Sequence, residues 1–210
     1  MDKAKNLWWR GFLSIAYGSG LRRNEILNLT WENIDFENQL ITVSAKKESQ
    51  KLIEWDPKSR RNRVFPMSYE SAQLLADLQL KAKEGLPYIF ISPQRLKRIR
   101  ERQKVGTWTP RSQIINNLDR DFRILRGKAG VDECVIHDLR RSAITNWAKK
   151  LPIQVVQELA GHSDISTTKM YYLAVRSEDL ASANKFLNQI LAKVRTNGHK
   201  FDTICLSGPF

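Results

Sequence analysis

Cysteine is scarce in this 210-residue chain: Cys134 and Cys205 are the only two, in no spacing that suits a metal site or a redox pair. That excludes a disulfide-stapled secreted scaffold, and reduced thiols in a cytoplasmic protein are the expectation. Histidine is nearly as rare, with three residues, and no His, Asp and Glu cluster has metal-ligand spacing. No apolar run approaches the roughly 18 residues of a membrane-spanning helix. The N-terminus lacks a signal-peptide pattern, and neither internal repeat nor low-complexity linker interrupts the chain. Acidic residues are in deficit too: 22 Asp and Glu stand against 35 Lys and Arg, a formal charge of +13. Such an excess sets up a field that attracts polyanions, so nucleic acid is the expected partner and a membrane is not.

The basic residues are clustered. RLKRIRERQK at 95–104 holds Arg95, Lys97, Arg98, Arg100, Arg102 and Lys104, and KSRRNR holds Lys58, Arg60, Arg61 and Arg63. Runs of this kind suit phosphate contacts, which give salt-sensitive affinity without reading base sequence.

Hydrophobic periodicity gives a mixed α+β chain, mostly helical with a small three-stranded antiparallel sheet. NLWWRGFLSIAY carries Leu7, Trp8, Phe12, Ile15 and Ala16 at helical spacing before the GSG at 18–20 breaks it. A short helix, LRRNEILNL, ends before Trp31. NIDFENQLITVSA reads as two strands joined at Glu37-Asn38, and RVFPM as a third that sits at an edge or ends at Pro66. SYESAQLLADLQLKAKE is a helix capped near Ser68, and YIFIS is a strand or an extended link. The basic stretch 93–112 has little periodicity and is expected to be a surface loop with some local helix. Helices follow over 112–129, in HDLRRSAITNWAKK from His137, and in PIQVVQELAG, which Pro152 opens and Gly161 closes. TTKMYYLAV and SEDLASANKFLNQILAKV are expected helices as well, and HKFDTICLSGPF a loose tail.

Three places carry residues suited to chemistry. In HDLRR, His137 shares a helical face with Arg140, about 60° off alignment, and with Arg141, about 40° off, so geometry does not choose between the arginines. AGHSD holds His162. Tyr171 and Tyr172 are adjacent, and on a helix they would point about 100° apart, so at most one aims at a given site.

GLRRNEIL at 20–27, HDLRR at 137–141 and LAGHSDISTTKMY at 159–171, in this order with a β-hairpin after the first, resemble the tyrosine recombinase (phage integrase) family. The likeness runs from about Leu7 to Val194 and corresponds to the family's catalytic domain. It implies a catalytic domain over 1–198 without the family's N-terminal core-binding domain, followed by a tail at 199–210. Residue by residue it implies that Arg22 is the first catalytic arginine and that Glu25 supports it. His137 and Arg140 fall on the H-x-x-R box, His162 on the second histidine, and Tyr171, nine residues later, on the nucleophile. Tyr172 then becomes a neighbouring packing residue.

The chemistry suits these residue types. Attack of a side-chain oxygen on a phosphodiester gathers negative charge on the non-bridging oxygens, which two arginines and a histidine donor clamp. Only about one phenol in a thousand is ionised at neutral pH, so tyrosine needs a positive site and a nearby base. The resemblance implies a covalent 3′-phosphotyrosine, a free 5′-hydroxyl, and rejoining without ATP, metal or other cofactor. It also implies a lysine at the end of the second hairpin strand to protonate the leaving oxygen. Lys46 and Lys47 both stand there, on opposite faces of an alternating strand. Lys47 is favoured, because members of the family often place this residue four positions beyond the one that Val43 occupies.

The chain departs from the family in the long turn KESQKLIEWDPKSRRN, expected to be a DNA-contacting loop that orders only on binding. Double-stranded DNA is the implied partner, in a tetramer holding two duplexes, and a prokaryotic or phage protein at the nucleoid the implied setting. A type IB topoisomerase-like relaxing activity and a DNA-binding module without catalysis are the alternatives, and G-L-R-x-x-E with G-H-S-x-x-S-T-T favours the recombinase.

Overall fold

The first helix, α1 (Leu7–Gly18), starts where the Asn6 side chain accepts the Trp8 amide at 2.9 Å. Its buried stripe of Phe12, Ile15 and Ala16 enters the core. The computed structural model describes residues 6–57, 62–109, 114, 117–172 and 184–189. Two compact units divide the chain, 1–171 and 172–210. In the second, residues 184–189 are helical, and the expected boundary at 198 and the tail lie outside the described residues.

In the first unit, α2 (Arg23–Leu27) and a one-turn 3-10 helix (Trp31–Asn33) lead into a three-stranded antiparallel sheet. β1 (Ile34–Asp35), β2 (Leu40–Val43) and β3 (Arg63–Pro66) lie in that order, with Ile34 opposite Ile41 and Ile41 opposite Phe65. Pro66 ends an edge strand, where its missing N–H costs no ladder bond. Then come α3 (Tyr69–Leu80), α4 (Pro93–Lys104), α5 (Leu118–Ala129), α6 (Ile136–Ala148), α7 (Ile153–Ala160) and α8 (Ile165–Lys169).

α1 packs on both α3 and α6. Ser14 and Ser71 share a 2.6 Å hydrogen bond across the first contact, which satisfies two buried hydroxyls. On the second side, Gly20 has a positive φ of 57°, and a Cβ there would stand 2.8 Å from the Trp147 ring, so the turn after α1 needs glycine. Trp8, Phe12 and Phe90 form an aromatic cluster with centroids 5.2 to 5.7 Å apart. Tyr88–Ile91 is a buried link that bends at Ile89 and Phe90 and is tied to Thr30 by a single bridge.

Three expectations are corrected. The basic segment after Ser92 is a full helix, α4, with Ser92 as its cap, Pro93 in its first turn and Ile99 buried. Arginine and lysine are good helix formers, and one buried isoleucine with half-buried Leu96 is apolar contact enough. The helix before Gly130 begins at Leu118 rather than 112. The described part of the long β2–β3 connection, through Pro57, is anchored by the protein's own residues: the Lys46 and Trp55 amides exchange hydrogen bonds with each other's carbonyls at 2.7 and 3.0 Å. Ile53 and Trp55 are buried, and the Ile53 amide donates to the Tyr88 hydroxyl at 2.8 Å.

Limited proteolysis without DNA is therefore expected to leave residues 46–57 intact in the wild-type protein. Ile53→Ala is expected to lower stability by about 2–4 kcal/mol in urea unfolding and to open this segment to cleavage.

Candidate active site

Three arginines converge on the C-terminal end of α7. A helix leaves its last carbonyls without intrahelical partners, and here each of three successive ones accepts from a different arginine. Arg63 Nη1 donates to the Leu159 carbonyl at 3.3 Å, Arg140 Nη2 to the Ala160 carbonyl, and Arg22 Nη2 to the Gly161 carbonyl at 3.2 Å. The negative end of the helix dipole favours cations there. Gly161 stops the helix in the left-handed region, φ 61°, and turns the chain toward His162.

Each arginine is also held from its other side. Arg22, the cap residue of α2, donates from Nη1 to Glu25 Oε1 at 3.1 Å, while its amide donates to Glu25 Oε2 at 2.8 Å. Arg63 Nη2 donates to the same Glu25 Oε1. Arg140 Nη1 donates to the Gly20 carbonyl at 2.6 Å. Glu25 is 2 % exposed, and a carboxylate so buried persists only when paired. Three guanidiniums against one carboxylate leave net positive charge. Burial, then the Arg22 charge, brings the Arg140 pKa down to about 10, still a cation at neutral pH.

Arg22, Glu25, His137 and Arg140 line one cleft of about 1080 Å³, walled in part by Trp55, Asp56 and Pro57. His137 stands in the first turn of α6, exposed, with its pKa lowered by desolvation and by Arg140. Burial, then Arg140, Arg22 and Arg63, brings His162 down to about 4, so its ring is neutral at pH 7. Its Nδ1 lies 3.0 Å from the hydroxyl of Thr168, which is fully buried. With Thr168 donating, Nε2 carries the proton and is a donor. The Tyr171 ring lies 6.3 Å from the His162 ring, centroid to centroid, and 22° from parallel. Tyr171 does not sit on a helix: α8 ends at Lys169, and both tyrosines lie in the following turn, where the Tyr171 amide donates to the Thr168 carbonyl at 3.0 Å. The 100° separation expected of helical neighbours therefore does not apply.

Among the lysines, Lys46 is 8 % exposed, with Nζ donating to Asn33 Oδ1 at 2.7 Å, and burial brings its pKa down to about 8. Lys47 is exposed. Neither lines the cleft. Of the basic runs, Arg63 is not a solvated phosphate contact but a buried member of the arginine group, 3 % exposed. Arg95 donates to the Ile114 carbonyl at 3.4 Å and Arg100 to the Gln50 carbonyl, while Lys97 and Arg98 are exposed on α4. Arg60 and Arg61 lie outside the described residues. Thr168 and the inward turn of Arg63 escape sequence reading, since a threonine in ISTTK and an arginine in a basic run carry no distinguishing signal. Among the described residues no group of three or more His, Cys, Asp and Glu could hold a metal ion.

The model of the phage integrase family matches residues 1–178. The chain belongs to the phage integrase family. Among related integrase-family proteins, the tyrosine recombinase XerA of Pyrococcus furiosus is 27% identical over 161 residues, 75% of this chain and 47% of that protein. A XerC-like tyrosine recombinase of Caldanaerobacter subterraneus is 27% identical over 194 residues, 84% and 48% of the two chains. The chain thus spans about half the length of the curated relatives it matches. The fold is that of crystalline XerA recombinase, with a TM-score of 0.60 at 19% identity, covering 95% of this chain and 60% of the other. It is also that of the Tn1549 transposon integrase in complex with transposon right-end DNA, with a TM-score of 0.61 at 20% identity, covering 88% and 61%. As an integrase-family domain it is mostly helical around a small antiparallel sheet, as its motifs imply.

Two outcomes are expected of this site. An NMR titration should place the His162 midpoint near pH 4. Because the folded pKa lies below that of an unfolded histidine, about 6.5, the unfolded chain binds more protons between these values, and stability falls as pH drops from about 6.5 toward 4. Glu25→Ala, which strands buried Arg63, should destabilise the domain by about 3–5 kcal/mol in urea unfolding.

Proposed function

We propose that this domain cleaves and rejoins double-stranded DNA by transesterification, with Tyr171 as nucleophile. The convergence of Arg22, Arg140 and neutral His162 beside the Tyr171 ring carries this reading. Arg22, Arg63 and Arg140 carry more positive charge than Glu25, the carboxylate that pairs with two of them, balances, and a phosphodiester supplies a further anion.

In the cleavage step the Tyr171 oxygen bonds to phosphorus and the bond to the 5′ oxygen breaks, leaving a 3′-phosphotyrosine and a free 5′-hydroxyl. The phenol proton leaves with a base, and the 5′ oxygen takes up a proton. Arg22 and Arg140 hold charge on the non-bridging oxygens, and His162 Nε2 donates to the same group. The arginines are already held by hydrogen bonds on both sides, so little reorganisation accompanies the charge development. The reverse attack by a 5′-hydroxyl rejoins the strand without an energy source.

A lysine of the β2–β3 connection supplies the proton to the leaving oxygen in this reading. Lys46 has its ammonium on Asn33, and Lys47 is free in solvent. A substrate with sulfur at the 5′ bridging position leaves without needing a proton, so it repairs the alanine variant of the lysine that acts as acid. The exposed Lys97 and Arg98 on α4 are assigned phosphate contacts outside the cleft, and assembly on two duplexes as a tetramer completes the reading. Among the described residues no helix is long and apolar enough to cross a membrane.

A nicked suicide substrate tests the proposal. A denaturant-resistant protein–DNA adduct is expected from the wild type and from Tyr172→Phe, and none from Tyr171→Phe. Arg140→Ala should slow adduct formation about a hundredfold or more. An adduct that survives Tyr171→Phe and vanishes with Tyr172→Phe would overturn the assignment.

A further inference from the structure

Arg63 has no place in the reaction as described, yet it is as buried as Arg140 and more so than Arg22. It opens β3 opposite Val43, its side chain is 3 % exposed, and its guanidinium lies 5.2 Å from the Phe65 ring centroid. Its Nε is buried without a hydrogen-bond partner, a cost that packing alone would not require. A Cβ built on Gly161 would come within 2.4 Å of Nη1. The glycine backbone therefore rests directly against the guanidinium.

The two contacts of Arg63 are the two supports of Arg22. Glu25 Oε1 accepts from both arginines, and Arg63 holds the Leu159 carbonyl two residues before the Gly161 carbonyl that Arg22 uses. The same turn delivers His162. We infer that Arg63 is a positioning residue of the cleavage site. It never meets the scissile phosphate; it fixes the Glu25 carboxylate and the end of α7, so that Arg22 and His162 meet one phosphate group. Lysine could not reproduce this, because a single ammonium lacks the planar fork that spans a carboxylate and a carbonyl. The inference rests on the proposed chemistry at Tyr171 and extends it by one residue.

Single-turnover adduct formation on the suicide substrate, with saturating DNA, tests it. Arg63→Met is expected to slow the step by about ten- to a hundredfold, since misplacement on the order of 1 Å costs that much, while the DNA dissociation constant holds within about threefold. Arg63→Lys should recover only part of the loss. The deciding comparison is with Arg22→Ala: because Arg63 acts in part through Arg22, the Arg22→Ala/Arg63→Met pair is expected to lose clearly less than the product of the two single losses, whereas independent losses multiply. Multiplied losses, or a wild-type rate in Arg63→Met, would overturn the inference. Should Arg63→Met fail to fold, Arg63→Lys carries the same comparison, with the same non-multiplying result expected. His162 gives a readout apart from activity, because losing the Arg63 charge should raise its NMR titration midpoint in a folded protein. A wild-type protein that forms no adduct would sink the proposed chemistry and this inference with it. An adduct-forming wild type with an unmoved midpoint and an undiminished rate in Arg63→Met would sink the positioning role alone.

Discussion

The end of α7 is where the structure is most constrained. Its three last carbonyls are each satisfied by an arginine from a different part of the chain: Arg22 from the turn after α1, Arg63 from β3 and Arg140 from α6. One set of interactions therefore closes a helix terminus, joins the sheet to the helical layer and assembles a cationic site. Glu25 makes this possible. Without its buried carboxylate, like charges at this spacing would repel, and with it two of the three are tethered at one oxygen. The charge that remains uncompensated is what an anion would meet.

His162 gains its character from the same group. It follows Gly161 directly, so the bond that holds Arg22 to that carbonyl also sets where the imidazole begins. Burial and the three cations keep it neutral at physiological pH, a state that donates from one nitrogen while Thr168 fixes the other. Tyr171, reached through the short helix α8, faces this neutral ring. The phenol thus lies against a neutral imidazole and within electrostatic reach of the Arg140 guanidinium.

Much of this was legible in the chain. Glu25 three positions after Arg22, Arg140 three after His137, and Tyr171 nine after His162 are local spacings, and the motifs that contain them survive without knowledge of the fold. The sheet was legible too, because alternation in LITV and the proline of RVFP report strand faces directly. What local pattern could not show were pairings across long separations. Arg63 reads as one more base in KSRRNR, and only the packing of β3 against α7 turns it inward. The sequence favours Lys47 over Lys46 only by its offset from Val43, and gives no sign that the Trp55 bridge buries Lys46 against Asn33. α4 was hidden by its own charge, since a helix that buries one isoleucine leaves almost no periodic trace. The turn at Tyr171 and Tyr172 is hidden because no glycine or proline marks the end of α8, which stops at Lys169.

The central claim is that the chemistry passes through one phenol held beside His162. The most direct measurement digests the covalent adduct formed on a nicked duplex and locates the nucleotide remnant on the peptide by mass spectrometry. A phosphodiester-linked nucleotide on Tyr171, joined through its 3′ phosphate, is the expected result. The remnant on Tyr172 or on any other side chain, or linkage through a 5′ phosphate, would contradict it.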